Sequence, residues 1–348
     1  MVYLIEEALE LWSTIMSQTP APASSEILSL LPMLCPIFQA ATDCVPLALQ
    51  IVESYILLAP QEVLSDQIRF HLLASLETLL KSTTRVRLGV VPHVVEMIIR
   101  CGDAVDGGSE NTYNIIARSL VESLFLSSLL EGLYSAYEVS ESTGPNRKKS
   151  NVYGVVETDY FSVLARLALA NPRIFASAVS AATGTSEEQT LSWVLKEWFN
   201  HYDNIGSSNQ KKLHTLGLTQ ILFVNGPGSQ PPNYILNHLQ SYLTIWTDII
   251  IDLGEIGEEG PNESSRGDYL VYWEKATESS DWQGTPETVR RRNWEHSDVI
   301  HTVNIRDFLR QHLHSLIVGC GGEQRFQEEW LVNVDRDVVS SFGALGLL

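Results

Sequence analysis

The sequence predicts an all-α fold in which antiparallel helix pairs stack one after another into a superhelical solenoid. Over roughly the first 250 residues, apolar side chains recur with the period of an α-helix, in stretches of about 15 to 20 residues. Short turns rich in Pro, Gly, Ser or Asn separate these stretches. No segment between them alternates clearly as a half-buried β-strand would. An array of paired helices exposes long surfaces, which favours a binding function.

The first stretch shows the pattern clearly. Its apolar residues share one stripe of a helix: Leu4, Ala8, Leu11, Trp12 and Ile15. The glutamates between them fall on other faces, so we expect this stripe to be the packed side of the helix. Pro20 and Pro22 end the helix, and the hydroxyls of Ser24 and Ser25 can cap the next one.

The later helices follow in order, with turn residues such as Pro60, Pro172 and Gly184 between them. They are predicted over residues 26–40, 45–58, 63–80, 85–100, 113–137, 158–170, 173–182, 187–205, 209–224 and 233–253. Prolines inside helical patterns should bend or break two of these helices locally: Pro32 and Pro36 in 26–40, and Pro92 in 85–100. Two helices with their turns occupy roughly 40 residues, which is typical of HEAT or armadillo repeats and longer than tetratricopeptide units. We therefore predict a HEAT-repeat array over residues 1–253.

The segment 254–296 differs from the array. It is rich in Gly, Ser and Glu, and it shows no helical stripe longer than a turn or two, so an acidic insertion loop is predicted there. Its aromatic residues are Tyr269, Tyr272, Trp273, Trp282 and Trp294. Because exposed rings are costly, we expect at least some to fold back onto the array, the alternative being a partner contact. The run Arg290 to Arg292 should dock on neighbouring carboxylates. A C-terminal helical repeat or cap is predicted over residues 297–348.

Charge and composition restrict the function. The chain has 42 acidic and 23 basic residues, a net charge of −19, which argues against direct binding of nucleic acid and would attract basic proteins. The alternative is that the acidic surface only keeps a large array soluble. No apolar run reaches the roughly 18 residues of a membrane-spanning helix, so membrane insertion is not expected.

Motifs for catalysis are missing. The sequence contains no nucleophile elbow, phosphate loop, HExxH or dinucleotide motif, so no catalytic residue, cofactor or metal ligand is assigned and the chain is predicted not to be an enzyme. His301, Asp307 and His312 could be imagined as a site, but a lone histidine on a helix is more often structural. The cysteines show no CxxC spacing and are expected to be reduced, mostly buried thiols: Cys35, Cys44, Cys101 and Cys320.

Two segments carry a resemblance to a known family. Residues 193–205, Trp-Val-Leu-Lys-Glu-Trp-Phe-Asn-His-Tyr-Asp-Asn-Ile, precede 211–222, Lys-Lys-Leu-His-Thr-Leu-Gly-Leu-Thr-Gln-Ile-Leu. Together they resemble C-terminal HEAT repeats of importin-beta (karyopherin-beta) nuclear transport receptors. Residues 297–308, Ser-Asp-Val-Ile-His-Thr-Val-Asn-Ile-Arg-Asp-Phe, are similar to a segment near the end of the importin-eleven branch, although Ile300 separates Val299 from His301. Within residues 211–222, Gly217 should let a neighbouring helix approach closely.

The resemblance implies that the chain is the C-terminal portion of a nuclear import receptor. Such a receptor binds protein cargo on its array, here cargo of basic character, and Ran-GTP and nucleoporins are partners of the full-length protein. The expected molecule is a monomer that shuttles between nucleus and cytoplasm and visits the nuclear envelope. The alternative function is a static HEAT scaffold for a non-transport complex. Our candidates for cargo-facing acidic residues are Asp248, Asp252, Glu255, Glu258 and Glu259.

Overall fold

The computed structural model describes residues 2–40, 42–82, 89–142, 150, 152–258 and 284–347. These residues are largely helical and contain no β-strand, which confirms the all-α prediction. None of the described helices is long and apolar enough to cross a lipid bilayer.

The chain forms two compact units. The first comprises Met1–Val163, Ala181–Thr183 and Glu274–Ser297. The second comprises Leu164–Ser180, Gly184–Trp273 and Asp298–Leu348.

Most helices lie entirely within one unit or the other, whereas the tenth and the eleventh contribute residues to both units. The helices as far as the eleventh are α1 Val2–Gln18, α2 Ser25–Leu28, α3 Leu34–Ala40, α4 Val45–Leu58, α5 Pro60–Val63, α6 Asp66–Lys81, α7 Val90–Asp106, α8 Glu110–Glu122, α9 Phe125–Glu141, α10 Val155–Ala170 and α11 Pro172–Thr183. Those that follow are α12 Glu187–Asn200, α13 Ser208–Ile221, α14 Asn233–Leu236, α15 Leu239–Glu258, α16 Pro286–His296, α17 Val299–Thr302, α18 Ile305–Gly319, α19 Glu323–Glu329 and α20 Arg336–Gly343. Of this second group, only α16 lies in the first unit.

Helices of the first unit pack in two rows. In one row α4 lies between α1 and α7, and in the other α6 lies between α3 and α9. Consecutive helices such as α3 and α4 pack across the two rows. Because it has neighbours on both sides, α4 buries residues on more than one face, including Leu49, Ile51, Ser54 and Tyr55. This is the stacking of helix pairs that the sequence predicts.

The packed face of α1 was predicted wrongly. Its buried side chains are Leu9, Ser13, Met16 and Ser17. Four members of the predicted stripe are instead exposed: Ala8, Leu4 by 70%, Leu11 by 62% and Ile15 by 45%. Trp12 is half-buried and donates a hydrogen bond of 3.1 Å from Nε1 to the Tyr55 hydroxyl on α4. The two small serines allow close packing against the unit, so a mixed face is buried and an apolar face is left outside.

Four predicted helices are interrupted. Two of them divide close to one end: 187–205 into α12 and a 3-10 turn at Tyr202–Asn204, and 233–253 into α14 and α15. The segment 26–40 divides into α2, a 3-10 turn at Leu31–Met33 and α3, as its two prolines predict. The predicted helix 113–137 divides into α8 and α9 at Ser123 and Leu124, where Leu124 adopts a left-handed conformation with φ of 63°. Neither Gly nor Pro marks the break at Leu124, so the sequence carried no signal for it.

Helix α16 lies within the segment that was predicted to lack helices. Its start signals are ordinary: Pro286 at the first position, and a Thr285 hydroxyl that accepts a hydrogen bond of 3.3 Å from the Thr288 amide. The buried side of the helix is charged, because Glu287 is fully buried, and an apolar stripe is therefore missing. Helix α15 also continues past its predicted end, to Glu258. The division at residues 253 and 296 stays a prediction, since 259–283 lie outside the described residues.

The arginines of α16 dock on the first unit. Arg291 pairs with Glu53 of α4 at 3.0 Å and with Glu287 at 2.8 Å, which confirms the predicted contact with carboxylates. Arg290 donates instead to backbone carbonyls at the end of α1, 2.6 Å to Thr19 O. The Ser54 hydroxyl donates to Glu287 at 2.8 Å. These contacts join segments that are far apart in the sequence.

Trp294 folds back as predicted. The guanidinium carbon of Arg100 on α7 lies 4.4 Å from the centroid of the Trp294 ring, and the guanidinium also donates to the Trp294 carbonyl and, at 3.0 Å, to the Ser297 hydroxyl. The other aromatic residues of the segment, Tyr269, Tyr272, Trp273 and Trp282, lie outside the described residues.

Cysteines 44, 101 and 320 are buried, as expected.

Helix α13 is the centre of the second unit. Every side chain from Lys212 to Thr219 is buried, and the helix packs against α15, α17 and α18. Close to this helix, Asp298 at the start of α17 accepts two hydrogen bonds, of 2.8 and 3.0 Å, from Arg166 on α10. Both side chains of this pair are almost fully buried. Removing one partner of such a pair is strongly destabilising, so this motif residue has a structural role.

Gly217 allows the close approach that its position in the motif predicted. A Cβ atom added at Gly217 would lie 2.7 Å from both the Cα and the backbone oxygen of Ala165. Backbone cannot move aside as a flexible side chain can, so the two helices depend on glycine at this position.

We expect Gly217→Ala to lower the free energy of unfolding by about 3 kcal/mol, because overpacking forces α10 and α13 apart. The matched control is Gly254→Ala in α15, where an added Cβ meets nothing within 4 Å. That change should raise stability by roughly 0.5–1 kcal/mol through helix propensity. Urea unfolding followed by circular dichroism measures both, and equal effects of the two substitutions would refute the close contact.

Candidate partner-binding surface

The candidate surface is built on the second half of α15. Asp248 and Asp252 are four residues apart, so their carboxylates lie on one face of the helix. Asp203, exposed in the turn Tyr202–Asn204 that follows α12, contributes a third carboxylate close to Asp248. We call Asp203, Asp248 and Asp252 the acidic cluster.

The buried side chain of Tyr202 holds this turn in place through a hydrogen bond. The Tyr202 hydroxyl lies 2.7 Å from the Thr215 hydroxyl of α13, and the ring is fully buried. Burial raises the pKa of Tyr202, and the negative charges of the acidic cluster raise it further. The phenol therefore stays neutral and fixes Asp203 next to α15.

One basic residue compensates part of the cluster. Lys211 Nζ lies 2.6 Å from Asp252 Oδ2. The pKa of the Asp248 carboxyl is nevertheless raised, first by partial burial and then by the charges of Asp203 and Asp252, which outweigh the opposing effect of Lys211. Among the described residues, Lys211 is the ammonium group that acts on these three carboxylates. This part of the chain therefore gives the cluster an excess of negative charge that a cationic side chain from a partner could neutralise.

The structure places the predicted residues as follows. Asp248 and Asp252 come together on α15 as expected. Glu255 and Glu258 lie on the last turns of the same helix, where the described structure covers the backbone, and Glu259 lies outside the described residues. Asp203 and Lys211 were missed as site residues, although both belong to the quoted family motif, because the sequence alone did not show that α12 and α13 bring them to α15.

The imagined site around His312 has a structural explanation. His312 stacks on Phe308 at 3.9 Å between ring centroids, and its Nδ1 lies 2.7 Å from the Phe308 carbonyl oxygen. Asp307 pairs separately with Arg310 at 3.0 Å. Burial lowers the pKa of His312, which favours the neutral ring. This histidine serves packing, as expected for an isolated histidine on a helix.

The chain is similar to known proteins in family, sequence and structure. A sequence model of the family described as importin-11-like, TPR repeats, matches residues 1–347. The importin beta-like protein kap113 of Schizosaccharomyces pombe is 24% identical over 347 residues, covering 97% of this chain and 30% of that protein. Human Importin-11 is 22% identical over 346 residues, with 97% and 31% covered. The chain therefore spans about a third of the length of these relatives.

A solved structure agrees on the fold. Lph2 of S. cerevisiae, titled a novel bidirectional nuclear transport receptor, matches with a TM-score of 0.70 at 17% identity, over 97% of this chain and 33% of that one. Tetratricopeptide and HEAT repeats are both stacked helix pairs, so the family description agrees with the helical array and differs from our prediction in the repeat type it names.

The raised pKa of Asp248 gives a prediction with a defined sign. The folded state holds the proton of Asp248 more tightly than the unfolded state, so the ionised carboxylate costs stability at pH 7. Asp248→Asn should therefore raise the free energy of unfolding at pH 7 by about 0.2–0.5 kcal/mol, the usual size of a like-charge pair on a helix.

That gain should shrink as the pH is lowered towards the ordinary value of 3.8, because the wild-type carboxyl then becomes protonated. Urea unfolding at a series of pH values measures the difference, with the exposed Glu328→Gln as the control. A lower stability of Asp248→Asn at pH 7 would show that Asp248 is favourably compensated in the fold.

Proposed function

Because the chain belongs to the importin-11-like family of nuclear transport receptors, we propose that it forms the C-terminal, cargo-binding portion of an import receptor. In this proposal the acidic cluster contacts basic side chains of a protein cargo. The observation that supports it most directly is that carboxylates outnumber basic groups around Asp248 in the described part of the chain, on residues that are at least partly exposed. Glu255, Glu258 and Glu259 extend the same acidic sequence and are proposed to contribute to the contact.

Electrostatics define what such a surface would select. A Lys or Arg that approaches the acidic cluster relieves the repulsion between Asp203 and Asp248. Because this repulsion raises the free energy of the unbound protein, its relief contributes to the free energy of binding. Nucleic acid is disfavoured, because its phosphates would add to that repulsion. The cluster therefore suits a cationic protein segment.

Regulation and location follow from the family in the same proposal. Ran-GTP would release the cargo, and nucleoporins would carry the full-length receptor between cytoplasm and nucleus through the nuclear envelope. Ran-GTP competition measured on a longer receptor that contains this chain tests this part. A static scaffold would keep its partner when Ran-GTP is added, so that result would favour the alternative function.

We expect Asp203→Asn combined with Asp248→Asn to weaken binding of a fluorescent Lys- and Arg-rich peptide by about three- to tenfold. This corresponds to the loss of two partly exposed charge contacts. The pair of substitutions leaves the ion pair between Lys211 and Asp252 intact. Fluorescence anisotropy at increasing salt measures the affinity, which should fall as salt screens the wild-type surface.

The matched control is Glu323→Gln combined with Glu328→Gln on α19, which removes two exposed negative charges from the same unit. If the proposal is correct, the control binds the peptide nearly as tightly as the wild type does. Equal losses in both double variants would mean that only the overall charge attracts the peptide. Affinity that does not depend on salt would contradict the electrostatic contact itself.

A further inference from the structure

Helix α16 is held on the first unit mainly by polar contacts. Its one aliphatic side chain, Val289, is 52% exposed and therefore does not hold the helix on the unit. The side chains that contact α1 and α4 are those of Glu287, Arg290 and Arg291. Trp294, which is half-buried, lies towards the other end of the helix. Helices of a permanent core bury an apolar stripe, whereas α16 mainly buries charged groups.

The docking of α16 removes several charges from water. Glu287 is fully buried, and the side chains of Arg291 and Glu53 are only 19% and 14% exposed. Glu287 Oε2 and Arg290 Nε are also buried, and they make no hydrogen bond to a described residue. Desolvation of such groups offsets much of their mutual attraction, and it is reversed when the helix leaves as a whole and water returns. We therefore expect α16 to detach more readily than the helices beneath it unfold.

The surface beneath α16 is a preformed site for two guanidinium groups. We call it the α16 seat, and it consists of Glu53, Ser54 and the carbonyl oxygens of Met16 and Thr19. Arg291 donates to Glu53 at 3.0 Å, and Arg290 donates to the two carbonyl oxygens at 3.2 and 2.6 Å. The Ser54 hydroxyl donates to Glu287 at 2.8 Å. Carboxylate and carbonyl oxygens together give the seat an excess of hydrogen-bond acceptors, which suits arginine.

The spacing of the docked residues defines what the seat recognises. Arg290 and Arg291 follow Glu287 by three and four positions, so all three side chains lie on one face of a helix. Arginine fits better than lysine, because its planar guanidinium offers several donors in fixed directions to neighbouring acceptors. The seat is therefore matched to a helix in which Glu is followed three and four positions later by Arg, a pattern written Glu-x-x-Arg-Arg.

We propose that the α16 seat is a binding site for a helical segment of a partner protein with the pattern Glu-x-x-Arg-Arg, and that α16 occupies it until the partner displaces this helix. Because α16 is tethered beside the seat, it competes at an effective concentration on the order of millimolar. Only a partner with further contacts displaces it, so α16 sets a threshold for binding. The seat lies in the first unit and does not involve the acidic cluster, so either proposal can fail without the other.

A peptide with the sequence of residues 284–297 is the probe, and the complete chain is the receptor. Arg290→Gln with Arg291→Gln removes both guanidinium groups from α16 and leaves the seat intact. This variant should bind the fluorescent peptide at least about tenfold more tightly than the wild type does, because the tethered competitor is weakened. The matched control is Arg292→Gln with Arg336→Gln, which removes two exposed positive charges and should bind as the wild type does.

The seat is tested by a further substitution in the same background. Adding Glu53→Gln to the Arg290 and Arg291 variant should weaken the peptide about tenfold, because a charged hydrogen bond is lost. Adding Asp248→Asn instead should leave the affinity unchanged. Equal binding by the wild type and the Arg290 and Arg291 variant, no binding by that variant, or an unchanged affinity after Glu53→Gln would each overturn the proposal.

Hydrogen exchange of the wild type tests the detachment of α16 without any substitution. The amides of α16 should exchange at least about tenfold faster than those in the middle of α4, because the helix opens locally. Exchange of α16 only together with α4 would show that the helix does not detach, and would overturn the proposal. Light scattering that shows a dimer of the wild type, lost in the Arg290 and Arg291 variant, would overturn it in favour of α16 from a second copy.

Discussion

The second unit depends on the need to satisfy polar groups on α13, whose residues from Lys212 to Thr219 are all buried. Three large aromatic residues from the surrounding segments supply hydrogen bonds to α13: Trp198 to His214 at 3.1 Å, Tyr202 with Thr215 at 2.7 Å and Trp246 to Thr219 at 2.9 Å. Buried polar groups without partners would each cost roughly 1–3 kcal/mol. The hydrogen bonds therefore fix which side of each neighbouring segment faces α13, something that apolar packing alone leaves adjustable.

The same constraint creates the acidic cluster. Tyr202 must reach Thr215, and this requirement holds the adjoining Asp203 beside Asp248 although both are negative. Satisfied hydrogen bonds in the interior thus keep unfavourable charges together at the surface. A protein can maintain such an arrangement where the interior hydrogen bonds stabilise the fold more than the repulsion between the carboxylates destabilises it. A cationic partner that binds there relieves this repulsion.

Sequence reasoning succeeded where one local rule governs the outcome. Helical periodicity predicted the all-α fold, and the motif indicated that position 217 must be a glycine for a neighbouring helix to pack closely. It failed where several interactions compete. Serines on α1 allowed a mixed face to pack while Leu4 and Leu11 stayed outside, and Leu124 broke a helix with no glycine or proline to mark it. For the candidate surface, sequence proximity found Asp248 and Asp252, but Asp203 and Lys211 reach α15 only through tertiary packing.

Several arginines make their contacts inside the units, and this bears on what a partner meets. Arg166 binds the buried Asp298, Arg291 binds Glu53 and Glu287, and Arg290 donates to carbonyl oxygens at the end of α1. Guanidinium donors committed to such contacts are not available to another protein, since withdrawing them would leave buried acceptors unsatisfied. The chain has 23 basic residues against 42 acidic ones, so it keeps an excess of carboxylates over basic groups. An arginine bound to a carboxylate removes charges of both signs, whereas Arg290, bound to carbonyl oxygens, removes a positive charge alone. The excess of negative charge therefore remains, and it favours cationic partners.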